Sequence, residues 1–130
     1  MSKARVLLID DERDFLDIMS QRIEAWDYTV ISISDPRKAI EAVKNKKGDI
    51  VILDYMMPGM DGLTAAKRIR AIDSEIPLIM FTAHPDYRAL EGSEQLHVIA
   101  FIPKFSSYSD AQSALKSALG LACKKIGASE

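Results

Sequence analysis

The chain has 130 residues, 48% hydrophobic and 28% charged, which bounds it to one soluble globular domain with a single substantial core. Seventeen basic and nineteen acidic residues leave a formal net charge of −2, so there is no general positive field to attract nucleic acid or an anionic membrane surface. The single cysteine, Cys123, excludes an internal disulfide and has no companion at metal-ligand spacing, which fits a reducing compartment.

The first apolar run, Val6 to Ile9, is too short for a signal peptide or a membrane span and leads directly into Asp10-Asp11-Glu12. A cytoplasmic location is expected. Phe15, Ile18, Met19, Ile23 and Trp26 then recur at helical spacing and predict the buried face of a first helix. Residues 28–33, Tyr-Thr-Val-Ile-Ser-Ile, partly alternate with polar residues, as an edge strand exposed on one side would. Asp35-Pro36 reads as the N-cap and first-turn proline of a second helix, and the basic run Lys44 to Lys47 suits its carboxyl end. Ile50 to Leu53 and Leu78 to Phe81 are continuously apolar, as strands covered on both faces must be. Residues 86–95 form the weakest predicted helix, interrupted by Gly92. A fifth run starts near Val98. Ala111, Ala114, Leu115, Ala118, Leu119 and Ala122 mark a last helix, which Ser109-x-x-Gln112 would open as a capping box.

The five apolar runs start near Val6, Tyr28, Ile50, Pro77 and Val98, so successive starts lie 22, 22, 27 and 21 residues apart. Each gap holds one helix and two loops. Strands so separated pair in parallel through right-handed crossovers. The expected architecture is α/β, a flavodoxin-like three-layer sandwich of five parallel strands in the order 2-1-3-4-5 with five helices, as one domain over residues 1–130.

Ligands of such sheets bind beyond the carboxyl ends of the strands. Asp10 and Asp11 stand at the end of the first strand, Asp54 at the third, Thr82 at the fourth and Lys104 just after the fifth. Neighbouring strands lie about 4.8 Å apart, which brings Asp54 close to Asp10 and Asp11. Clustered carboxylates with access to water suit Mg²⁺. A hydroxyl and an ammonium added to that cluster make a receptacle for a phosphoryl group. Each residue has a plainer use alone, as a helix cap, loop acid, strand terminus or surface lysine. Their joint placement at one sheet edge is what points to a site.

The same residues resemble those of receiver domains of two-component response regulators, closest in layout to the stand-alone chemotaxis-type regulators. The resemblance covers Arg5 to Cys123. It rests on the acidic pair, on Leu53-Asp54-Tyr55-Met56-Met57-Pro58-Gly59-Met60-Asp61-Gly62, on Phe81-Thr82-Ala83 and on the lysine after the fifth strand. It implies that Asp54 takes a phosphoryl group from a histidine kinase or phosphotransfer protein. It further implies that Mg²⁺ is held by Asp11, Asp54 and the Met56 carbonyl, with Asp10 acting through water. By the same resemblance Lys104 and Thr82 engage the phosphoryl oxygens, and Phe101 is the aromatic whose burial follows Thr82. Met56 and His84 would set the lifetime of the modified state, and the surface of the fourth predicted helix, fifth strand and last helix would be read by a protein target. No direct binding of nucleic acid or membrane is implied, and no turnover of a small-molecule substrate beyond the chain's own phosphorylation and dephosphorylation.

One departure stands out: the family's Lys-Pro is replaced by Pro103-Lys104-Phe105. Without proline after it, Lys104 is expected to precede a trans peptide bond, since cis costs about 3 kcal/mol there. Two other readings fit less well. A haloacid-dehalogenase-like phosphatase wants a second acid two residues after the nucleophile, where this chain has Met56, and a cap domain for which there is no room. A scaffold that has lost phosphorylation would not be expected to keep the whole acidic, Thr and Lys set.

Overall fold

The computed structural model describes residues 2–55, 57, 59–82, 91–92, 94–103 and 108–127, the side chains of 108–110 excepted. Five strands, β1 (Arg5–Ile9), β2 (Thr29–Ile33), β3 (Ile50–Leu53), β4 (Leu78–Thr82) and β5 (Ala100–Pro103), form one parallel sheet in the order β2-β1-β3-β4-β5. Four helices accompany them: α1 (Arg13–Ala25), α2 (Pro36–Lys44), α3 (Gly62–Ile72) and α4 (Tyr108–Gly127). The expectation of five helices is thus met by four among the described residues. Most of the expected 86–95 helix falls outside them, and only 91–92 and 94–95 are seen to be helical.

Strand alternation splits the core in two. Val6 and Leu8, Ile50 and Ile52, and Ile79 and Phe81 point to the side covered by Leu16, Met19 and Ile23 of α1 and by Leu115 and Leu119 of α4. Leu7 and Ile9, Val51 and Leu53, and Leu78 and Met80 point to the side covered by Ala39 and Val43 of α2 and by Ala65, Ala66 and Ile69 of α3. Both pleat faces are therefore apolar, which is why these runs show no alternation in sequence. β2 is an edge strand, as expected, but its exposed Thr29 and Ser32 lie on opposite pleat faces rather than on one side, because Val30 and Ile31 pack against the two halves of the core.

Helix faces needed correction. Ile18, placed on the buried face of α1 by its spacing, is 53% exposed, and Leu16 is buried in its place. Ala114 is likewise exposed. The buried positions 16, 19 and 23 follow the three-and-four step of a helix, and at 3.6 residues per turn residue 18 stands roughly a third of a turn from the centre of that stripe, toward solvent. The last helix begins at Tyr108, so Ser109 lies inside its first turn rather than at the cap. Asp35 does cap α2, its carboxylate accepting from the Arg37 N–H at 3.0 Å, and this bond holds the carboxyl below its usual range.

Two arginines tie the amino-terminal edge of the sheet together. Arg5 donates to the Asp49 carboxylate through its backbone N–H (2.8 Å), Nε (3.2 Å) and Nη2 (3.1 Å), locking the start of β1 to the start of β3. Arg70, half-buried at the end of α3, donates to the carbonyls of Leu96 (2.9 Å), Asp73, Ile76 and His97. Burial pushes its guanidinium below the ordinary value, opposed by Asp73. Cys123 packs against the core, and its thiol donates to the Tyr28 hydroxyl at 3.7 Å. Burial first, then this contact, pushes the Tyr28 phenol up. Trp26 packs on the same cluster beneath the Lys116 ammonium.

Candidate functional site

Parallel register decides which residues meet at the carboxyl edge. Ile9 pairs with Leu53, and Leu53 with Met80, so Asp10 and Asp54 leave the sheet as neighbours. Two hydrogen bonds extend the ladder past the last pairs. The Asp10 N–H donates to the Ile33 carbonyl at 3.1 Å and the Asp54 N–H to the Ile9 carbonyl at 3.0 Å. Both acids therefore stand on backbone fixed by the sheet.

Asp10 is 1% exposed and Asp54 5%, while Asp11 faces solvent. The Asp10 carboxylate accepts from the Glu12 N–H at 3.0 Å, an Asx turn that opens α1, and Glu12 at the N-cap makes no side-chain cap bond of its own. Asp10, Asp11 and Asp54 each offer an oxygen within 4.8 Å of the others. Ionised together, charges at that spacing repel by on the order of 1–3 kcal/mol per pair between bulk-water and near-surface dielectric. A divalent cation reverses that sign.

The donor set fits Mg²⁺. All three donors are hard carboxylate oxygens, the ligand type that Mg²⁺ takes, and they lie close enough together to share one ion. Exposed Asp11 leaves one side open to the waters that Mg²⁺ retains, one of which could stand between the ion and Asp10.

The loop after Asp54 is held by its glycines and by one cap. Gly59 has φ +81°, a conformation that favours glycine at the turn. Asp61 caps α3, accepting from the Thr64 N–H at 2.8 Å. The Gly62 N–H donates to the Tyr55 carbonyl, and a Cβ on Gly62 would fall 2.6 Å from the Tyr55 Cα and closer still to the Asp54 carbonyl oxygen. Only glycine lets α3 start against the backbone of the acidic residue. Sequence spacing gave Gly62 no role of its own. The available signal was a glycine in the first turn of a helix, where better helix formers are free to stand.

Thr82 ends β4 fully buried and pairs with Pro103, so the chain leaves β5 beside it. Phe101 pairs with Met80 and is half-buried on the α2–α3 side, the pleat face that Thr82 shares. Met56, His84, Lys104 and the Lys104–Phe105 peptide bond lie outside the described residues. The structure thus brings together Asp10, Asp11 and Asp54, with Thr82 on the neighbouring strand end.

The family model of the response regulator receiver domain matches residues 6–116, which takes in every one of these acids. The chain belongs to that family. This receiver domain is 36% identical over 104 residues, 78% of its length, to a two-component response regulator of Arabidopsis thaliana. It is 26% identical over 121 residues to sporulation initiation phosphotransferase F of Bacillus subtilis, covering 93% of this chain and 98% of that protein. It spans only 17% of the Arabidopsis regulator and 18% of the C4-dicarboxylate transport transcriptional regulatory protein of Rhizobium meliloti, less than a fifth of either. Among solved structures, the signal receiver domain of a Luxo repressor protein from Vibrio parahaemolyticus superimposes with a TM-score of 0.85 at 24% identity, over 97% of this chain and 94% of that one. A CheY-like receiver domain protein from Methanospirillum hungatei does so at 0.82 and 21%, over 93% and 97%. Both share the fold.

Proposed function

We propose that residues 1–130 act as one receiver domain in which Asp54 accepts a phosphoryl group from the phosphohistidine of a histidine kinase or phosphotransfer protein. The observation that carries this reading is the Asp54 carboxylate. It is nearly buried at the end of the middle strand, with two further carboxylates within 4.8 Å. An Asp54 oxygen attacks phosphorus while the bond to the donor imidazole nitrogen breaks, and the imidazole departs with the electron pair and takes a proton from solvent. Asp11, Asp54 and the Met56 carbonyl would hold Mg²⁺, with Asp10 acting through a bound water. When bound, the ion offsets negative charge on the transferring oxygens. The Thr82 hydroxyl and Lys104 ammonium engage the phosphoryl oxygens. Met56 and His84, by their positions after Asp54 and Thr82 in the sequence, would set how long the group persists.

Thr82 and Phe101 share one pleat face, which supports a switch in which the aromatic follows the threonine. The surface of residues 86–95, β5 and α4 is then what a downstream protein reads, with nucleic acid and membrane left out of direct contact. A cytoplasmic setting suits this chemistry, and no helix among the described residues is long and apolar enough to cross a membrane. Incubation with acetyl phosphate and Mg²⁺ should add one phosphoryl group by intact mass. Uptake that persisted in Asp54→Asn, or proceeded equally in EDTA, would remove the assignment.

A further inference from the structure

Helix α3 touches the acceptor loop at its start and the segment before β5 near both of its ends. At its start Gly62 lies on the backbone of Asp54 and Tyr55. The next residue, Leu63, packs on Gly92, where a Cβ would fall 2.7 and 2.8 Å from the two Leu63 methyls. Gly92 thus has a packing reason: it makes room for Leu63. At the other end the Arg70 guanidinium holds the carbonyls of Leu96 and His97, besides those of Asp73 and Ile76. The held segment is bonded within itself, Leu96 N–H to the Gly92 carbonyl and His97 N–H to that of Glu94. It joins β4 through the Ile99 N–H and the Leu78 carbonyl at 2.8 Å.

Gly62 and Arg70 are eight residues apart, about 12 Å of continuous helix. A close-packed element of that kind shifts as a body rather than absorbing a displacement locally. We infer that α3 is a connecting rod between the acceptor loop and residues 91–97. A displacement at Asp54–Tyr55 passes through Gly62 and Leu63 to Gly92, with Arg70 fixing the far end. This gives the acceptor loop a second route to the segment before β5, separate from Thr82 and Phe101. Its use in signalling rests on the phosphoacceptor reading, whereas its contacts do not.

Amide NMR spectra and hydrogen exchange of the whole chain test it without any ligand. Gly92→Ala should shift the amides of Gly62, Leu63 and Asp54 together with those of 94–97. Adding Leu63→Ala should return Gly62 and Asp54 to their parental positions. Arg70→Met keeps the aliphatic stem but removes the donors. It should speed exchange at Leu96, His97 and Ile99 about tenfold, with Arg70→Lys recovering part of the protection. Shifts confined to 91–97 in Gly92→Ala, or no restoration in the double variant, would overturn the rod. In a second arm, beryllofluoride with Mg²⁺ should alter exchange at 96–99 in the parent and fail to do so in Arg70→Met. Binding to the parent with 91–99 unaltered also overturns it. Absence of binding defeats the phosphoacceptor reading instead, and the ligand-free arm still decides the rod.

Discussion

Gly62 is where the acceptor loop is least forgiving. In Gly62→Ala the new methyl meets main-chain atoms of Asp54 and Tyr55, which cannot rotate away as a side chain can. Overpacking of this kind costs about 1–3 kcal/mol, against about 0.5–1 kcal/mol that alanine regains as a helix former. The variant should melt lower than the parent and bind Mg²⁺ more weakly, as thermal scans with and without the ion will show. A second residue-scale expectation concerns Asp49, whose carboxyl the Arg5 guanidinium holds below the usual range while burial opposes. Because its folded pKa is depressed, the stability it adds is complete above about 3.9, the ordinary aspartate value, and is lost as pH falls through the folded value. The pair is partly exposed, so roughly 0.5 kcal/mol is at stake. Asp49→Asn should be less stable by that amount at neutral pH and converge with the parent in acid, measured by urea midpoints across pH. The acids and the threonine were legible because each does its work through its own functional group. Gly62 was not, since its contribution is an absent side chain. Arg70 escaped notice because a basic residue in the last turn of a helix looks like a solvated dipole partner until the carbonyls it holds are seen.

Among the elements, the strands were read closely and the helix faces less so. A run such as Ile50 to Leu53 can only be apolar throughout if both pleat faces are covered, so composition alone determines its place. A helix face is set by angle. Leu16 and Ile18 are equally apolar and only packing tells them apart. That difference is measurable: Leu115, with no exposed surface in α4, should cost about 2–5 kcal/mol when replaced by alanine. Ile18→Ala should stay within about 0.5 kcal/mol of the parent. Equal losses at the two positions, in denaturant titrations, would mean that the α1 stripe has been drawn on the wrong side. The predicted start of the last helix missed for a related reason: a capping box is a side-chain pattern, and the chain became helical one residue before it.

At the scale of the whole molecule, three carboxylates converge on one edge of a fold whose net charge is only −2. Ionised together they would repel and load the metal-free protein, and a cation that binds only the native state would lift that load by mass action. Melting temperature should therefore rise with Mg²⁺. Asp11→Asn should melt higher than the parent in EDTA and gain less from the ion, and an Asp11→Asn protein less stable than the parent in EDTA would count against stored repulsion. The order of the sheet was legible as well, because crossover handedness and the polar residues that interrupt the run at 28–33 leave few alternatives.

That order carries a consequence for the newly made chain. β1 is the first strand to be synthesised, yet it sits inside the sheet and pairs on both sides, Val6 with Val30 and with Ile50. One of its edges must wait for residues 44 positions downstream, several seconds at translation rates of about 5–20 residues per second. In that interval an apolar strand with an open edge is a template for pairing with other chains. Asp10, Asp11 and Glu12 follow it immediately, and clustered negative charge beside such a strand keeps nascent chains apart. The acids that gather at the site of the finished domain would thus also guard the open edge of the unfinished one.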